Sequence, residues 1–249
     1  IISISIYISA EQIHNMTSVV EDAEFTLIYF PLLAKGFGPA LVAEFSGLKW
    51  NGPKTIGWSR NDWKTMKPTT TFGQLPLLKT KDGLQINQTT AIVNWIAKKA
   101  GTKLSGENEK DWIMSQMLVA EGEDLYAKMQ QHQPTMYVEL GRTDRFKGNL
   151  DQHRTWWNEW LPNHLQFLEK MLTDDNVNFT STGFTVGEIM LFAYMYQMDL
   201  VKPIDMFANT PKLKKWYDGM ASHKSVQNVV SGNSNYGELK QYFITPKTD

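Results

Sequence analysis

Phe72-Gly73-Gln74-Leu75-Pro76-Leu77-Leu78, followed by Asp82-Gly83 and by Gln88-Thr89, is the stretch that decides the fold. A proline after an apolar residue and before a short apolar run cannot donate to a sheet ladder. It fits a turn, through a cis bond, that enters an edge strand. Asp82-Gly83 is a hairpin signal that returns the chain as Leu84-Gln85-Ile86. Asn87-Gln88-Thr89-Thr90 then supplies capping chemistry ahead of an apolar helix from Ala91 to about Ala100, with Gly101 as its stop. Proline turn, hairpin and helix start together put a backbone edge at Leu75–Leu77 beside the positive end of a helix. That arrangement suits a peptide carrying a carboxylate.

Working outward, Phe25–Phe30 alternates as a strand that ends at Pro31. Pro39 falls in the first turn of a helix carrying Ala40–Phe45 and closed by Gly47. A short strand is expected near Thr55-Ile56, and 60–71 reads as polar and irregular. Gly101–Asn108 is small and polar, a linker. Beyond it the pattern becomes helical only. Lys110–Gln131 and Leu150–Leu172 form long helices, the second rich in Trp156, Trp157 and Trp160. Thr185 and Glu188 make a capping box ahead of Ile189–Met198, a run too apolar for a surface helix. Pro211–Met220 and Val226–Val230 are shorter helices, and the tail from Ser231 is irregular. The expected division is an N-terminal extension at 1–24, a mixed domain at 25–100, a linker at 101–108, an all-helical domain at 109–230 and a tail at 231–249.

Composition narrows the function classes. A chain of 249 residues, 42% hydrophobic, can bury a sizeable core. Its formal net charge of −1 gives no electrostatic reason to expect nucleic acid or an anionic membrane as partner. Lys212, Lys214 and Lys215 read as one solvated helix face. The absence of cysteine removes disulfides, thiolate metal sites and a protein thiol nucleophile. The five histidines (His14, His132, His153, His164, His223) have no metal-ligand spacing, so no metal is expected. Ile1–Ile8 alternates with serine and is far too short to span a bilayer; it reads as a loose or edge strand.

The order around Pro76, Gln88 and Thr89 resembles the glutathione-binding half of a glutathione transferase, and the helical second half completes that architecture. The resemblance covers roughly 25–230. It implies an α/β thioredoxin-like N-terminal domain followed by an all-α C-terminal domain. It also implies glutathione as cosubstrate, a small hydrophobic electrophile as second substrate, a homodimer and a cytoplasmic location. A thiol near pKa 8.5 is only about a few per cent ionised at neutral pH, and a donor aimed at the sulfur makes the thiolate dominant. Tyr29, in Leu27-Ile28-Tyr29-Phe30-Pro31, matches the donor of the tyrosine-type, sigma-like classes; 31–39 offers no serine or cysteine in its place. By the same resemblance Leu77, with Pro76 shaping the loop, pairs with the cysteinyl backbone. Gln88 and Thr89 hold the γ-glutamyl end, Trp63 and Lys67 the glycine end, and Lys35 replaces an arginine beside the sulfur. Trp112, Met114 and Met117 would line the electrophile pocket.

The sequence also departs from the family. Phe37 and Ala40 stand where a glutamate and an arginine are usual, which implies a shortened or rebuilt helix. Gln116 stands where many members place an aspartate that reaches across the dimer to the γ-glutamyl amine. These departures motivate a second reading, a non-catalytic transferase-like subunit that docks in a larger protein assembly.

Overall fold

The computed structural model describes residues 22–136, 150–173, 177–181 and 183–245. The extension expected at 1–24 therefore lies almost wholly outside the described residues, as does His14. A four-stranded sheet of order β2-β1-β3-β4 organises the first half. Strand β1 (Phe25–Ile28) runs parallel to β2 (Trp50–Asn51) and antiparallel to β3 (Leu77–Thr80), which pairs antiparallel with β4 (Gln85–Asn87). Helix α1 (Phe37–Ser46) follows β1 and ends at Gly47, whose φ of 72° needs the freedom of glycine. Helix α3 (Thr89–Ala100) follows β4 and stops at Gly101. A mixed sheet covered by helices, joined to a helical second half, is a thioredoxin-like domain followed by an all-α domain.

Three local expectations are corrected. Strand β2 lies at Trp50–Asn51 rather than Thr55-Ile56. The Thr55 hydroxyl accepts from the Gly52 N–H at 2.8 Å and donates to the Gly52 carbonyl at 2.9 Å, which folds that segment into a turn. Residues 60–66 are helical: α2 (Arg60–Met66) is nucleated by a capping box of Ser59 and Asp62, and buries no residue. A seven-residue helix whose apolar residues are Trp63 and Met66 is too short to show a period, so its cap was its clearest signal. The segment 101–108 contains α4 (Thr102–Ser105), a single helical turn.

The helical half is built as expected. Helix α5 (Glu109–His132) is long. Next come α6 (Leu150–Thr155), a π-helical segment Trp156–Trp160 and α7 (Leu161–Met171). Helix α8 (Val186–Asp199) is central and almost entirely buried, followed by α9 (Pro211–Ser222) and α10 (Lys224–Val230). Small residues let α8 approach its neighbours closely. A Cβ on Gly187 would overlap the Ser115 carbonyl of α5, and the Gly187 N–H donates to the Ser115 hydroxyl at 2.8 Å. Helix α8 also packs on α1, so one apolar core runs through both halves.

The tail is irregular, as expected, yet it is stitched down. Lys240 forms a parallel bridge with Leu32, and Phe243 an antiparallel one with Thr135. The Tyr236 hydroxyl donates to the carbonyls of Phe30 at 3.0 Å and Leu32 at 3.2 Å. Residues 231–245 thus strap the loop after β1 to the end of α5.

Candidate functional site

The Leu75–Pro76 peptide bond is cis. It turns the chain sharply into β3, which changes the expected role of Leu77. That residue sits in an interior strand, not an edge one, opposite Ile28 on one side and Asn87 on the other, and is fully buried. The more exposed stretch falls before the proline instead, at Gln74 and Leu75. Both, with Pro76, wall a cavity of about 140 Å³.

The opposite wall is the start of α3. Gln88 precedes the helix at φ 71°, a strained conformation for a residue with a side chain, and makes no side-chain cap bond. The capping expected of Gln88 is therefore absent, and the first-turn N–H groups of the helix have no side-chain cap to occupy them. Thr89 and Thr90 line the cavity beside Gln88. The loop is tied to this helix start by the Asn87 amide, which donates to the Gln74 carbonyl at 3.0 Å, and by a longer 3.4 Å bond from Gln88 to the Gln74 side chain.

Lys35 and Glu123 complete the cavity and form an ion pair with each other. The Lys35 ammonium also lies 4.9 Å from the ring centre of Tyr126 and 5.9 Å from that of Tyr194. The Tyr194 hydroxyl donates to the second oxygen of Glu123. Tyr126 packs on Tyr194 at 4.8 Å and edge-on to Phe243 of the tail at 5.6 Å.

Tyr29 follows β1 directly. Ile28 stands opposite Leu77, so continuing that register by one brings Tyr29 level with Pro76. Its ring is half-buried against Gly36, where a Cβ would overlap both it and the Tyr236 hydroxyl. Burial pushes the phenols of Tyr126, Tyr194 and Tyr236 well above the ordinary tyrosine value, and the neighbouring Tyr29 phenol adds to each rise. These hydroxyls remain protonated donors.

Of the residues anticipated for this site, Lys35, Pro76, Gln88 and Thr89 meet in the cavity. Lys67 packs beside Gly73 at the start of the cis-proline loop, and Trp63 is half-buried in α2; neither lines the cavity. Trp112, Met114 and Met117 lie further up α5. Met117 is 54% exposed, and Trp112 walls a separate, roomier cavity of about 810 Å³ with Asn94, Trp95 and Lys98. That larger space contains neither the cis-proline loop nor the start of α3. Gln116 is held in a reciprocal amide pair with Asn94, at 2.9 and 3.1 Å. Phe37 and Ala40 are buried in a complete α1, which is neither shortened nor broken. Sequence reasoning put Leu75 on the backbone edge but gave Gln74, Thr90 and Glu123 no place in the site. Nearness to Pro76 was a usable signal for Gln74, whereas one glutamate among several in α5 gave none. No cluster that could hold a metal ion occurs among the described residues, and none of their helices is long and apolar enough to cross a membrane.

Residues 136–231 match the family described as the glutathione S-transferase C-terminal domain. Glutathione S-transferase 1 of Ascaris suum is 25% identical over 214 residues, covering 78% of this chain and 95% of that protein. The hematopoietic prostaglandin D synthase of Gallus gallus is 28% identical over 95 residues, covering 38% of this chain and 45% of that protein. Among solved structures, the glutathione S-transferase of Ascaris lumbricoides superposes with a TM-score of 0.67 at 21% identity, over 84% of this chain and 96% of that one. The sigma class enzyme of Fasciola hepatica gives 0.65 at 21% identity, over 85% and 97%. Together with the cis-proline loop, the helix start and the helical second half, these likenesses support a member of the glutathione transferase family.

Proposed function

We propose that this chain transfers the thiolate of glutathione to small electrophiles, as a homodimer in the cytoplasm. The observation that carries the reading is the cavity between the cis-proline loop and the uncapped start of α3. The peptide backbone at Leu75 suits the cysteinyl unit, and helix N–H groups with Thr89 suit a carboxylate. Lys67, beside Gly73 in the cis-proline loop, and Trp63, four residues before it, would hold the glycine end. A tripeptide laid along this loop brings its sulfur toward Tyr29, whose hydroxyl stabilises the thiolate. Bond formation then needs little more than a held electrophile. The exposed apolar side chains of Phe72, Ile113, Met117 and Phe167 suit a second copy of the chain.

A second reading, a docking subunit without catalysis, is favoured by one feature. The Lys35–Glu123 pair and the strapped tail occupy space beside Tyr29 that an electrophile would need. The thiolate ultraviolet absorbance of bound glutathione, followed against pH, decides between them. The transferase reading expects retention on a glutathione-affinity column and a thiol that ionises below its free value. Failure to bind, or a bound thiol with an unshifted titration, overturns it.

A further inference from the structure

A third cavity, of about 500 Å³, lies at the far end of α1 from Lys35. Its wall carries Glu44 and Phe45 from the last turn of α1, Lys103 of α4, Glu107, Phe184 and His223. We propose that this cavity binds a small organic cation, an ammonium on an apolar body, with the ammonium on the Glu44 carboxylate and the body against the rings. The proposal goes beyond the glutathione reading and does not depend on it.

The carboxylate is the first reason. Glu44 stands at the C-terminal end of α1, where the helix dipole disfavours negative charge. It is half-buried, and no ion pair among the described residues neutralises it. The donors that reach it are neutral, the Asn228 amide at 2.9 Å and the Trp50 side chain. Burial still raises its carboxyl above the ordinary value. A charge buried without a partner is costly, and a cation in the cavity removes that cost. The walls are the second reason. The His223 ring stacks on Phe45, with centres 4.3 Å apart and 17° between planes, and lies 4.9 Å from Phe184. Phe184, at φ 54°, is a strained residue of the kind found at ligand clamps. Aromatic rings offer both apolar surface and a negative face that attracts an ammonium. His223 does not repel it. Burial, then Lys103, lowers the His223 value, so the imidazole is neutral at pH 7, and its Nδ1 accepts from the Ser225 N–H at 3.1 Å. The Lys103 ammonium lies beside Gly47, 3.5 Å from where a Cβ would stand, at the end of α1 that favours a cation. Glu107 balances that charge, which leaves Glu44 in excess. The volume also falls within the roughly 300–1,000 Å³ typical of small-molecule pockets.

The test titrates the full chain at pH 7 with 2-phenylethylamine, and with 2-phenylethanol as its neutral match, by calorimetry. The unmodified protein should prefer the amine by about tenfold or more, the size of a hydrogen bond to a charged group. Glu44→Gln, which keeps the shape and can still accept from Asn228, should erase that preference by weakening the amine alone. Because the preference is a ratio within one protein, a general loss of stability does not imitate the result. Lys103→Gln removes a like charge and should strengthen the amine. Saturating glutathione should leave the amine's affinity unchanged, since the two cavities lie at opposite ends of α1. Equal binding of the two probes, binding of neither, a preference that survives in Glu44→Gln, or competition with glutathione overturns the proposal. If glutathione itself does not bind, the glutathione reading fails, and the two probes still decide this one.

Discussion

Tyr29 illustrates how one side chain is placed by its neighbours. Its phenol owes its position to a strand end, to Gly36 beneath its ring and to Tyr236 behind it. Tyr29→Phe should lower turnover with a model electrophile by about tenfold or more while leaving glutathione affinity nearly intact, since only the developing thiolate loses a donor. Steady-state kinetics and calorimetry on the same preparation check both halves. Glu188 is the structural counterpart. Its two oxygens accept from the Phe179 N–H at 2.7 Å, the Thr180 hydroxyl at 2.9 Å and the Thr185 N–H at 3.0 Å. Glu188→Gln replaces one acceptor oxygen with a donor and should cost about 1–3 kcal/mol in urea unfolding at pH 7. Burial raises the carboxyl above its ordinary value of 4.5, so the native state holds its proton to higher pH than the unfolded chain does. Its contribution to stability therefore falls as pH rises from 4.5 toward the raised value, and the glutamine variant should lack that slope. The box itself was legible from Thr185 and Glu188, but the long-range donors from 179–180 were not.

Elements with a period or a breaker could be read from sequence. The hairpin at Asp82-Gly83, the stop at Gly101 and the buried helix after Thr185 all stand where their residues put them. Helix α2 could not be read from periodicity because it buries nothing, and Leu77 was misjudged because an edge strand and an inner one share the same apolar run. The site divided in the same way. Gln88 and Thr89 were reached through the family resemblance, and both line the cavity, whereas Glu123 reaches it only through the packing of α5 against distant elements. The tail strap was equally invisible, since its bonds join residues 204 and 206 apart. Tyr236→Phe should remove about 1–3 kcal/mol of stability, because two carbonyls in the loop after β1 lose their donor. Amide exchange should speed up at Leu33 and Lys240, which are bonded across that same junction. Unchanged exchange there would detach the strap from the loop.

At the scale of the whole molecule, acid should loosen the structure through its histidines. Burial lowers the folded-state values of His132, His153 and His223 below 6.5, with nearby Lys128, Arg154 and Lys103 contributing. The unfolded chain then takes up protons first, so stability present above pH 6.5 is lost as pH falls through the lowered values. His153 faces the carbonyl of His132 at 2.9 Å, which links α6 to the end of α5. The melting temperature should drop between pH 7 and 5, and the drop should shrink in His132→Asn/His153→Asn. A pH-independent melt over that range would remove these histidines as the cause. The strap also bears on how the molecule is made. Residues 236–243 complete the pairing of Leu32, which is synthesised long before them. A nascent chain can assemble its sheet early, yet the loop after β1 stays unlatched until those residues have emerged. Fragments that stop short of them lack the latch on that loop.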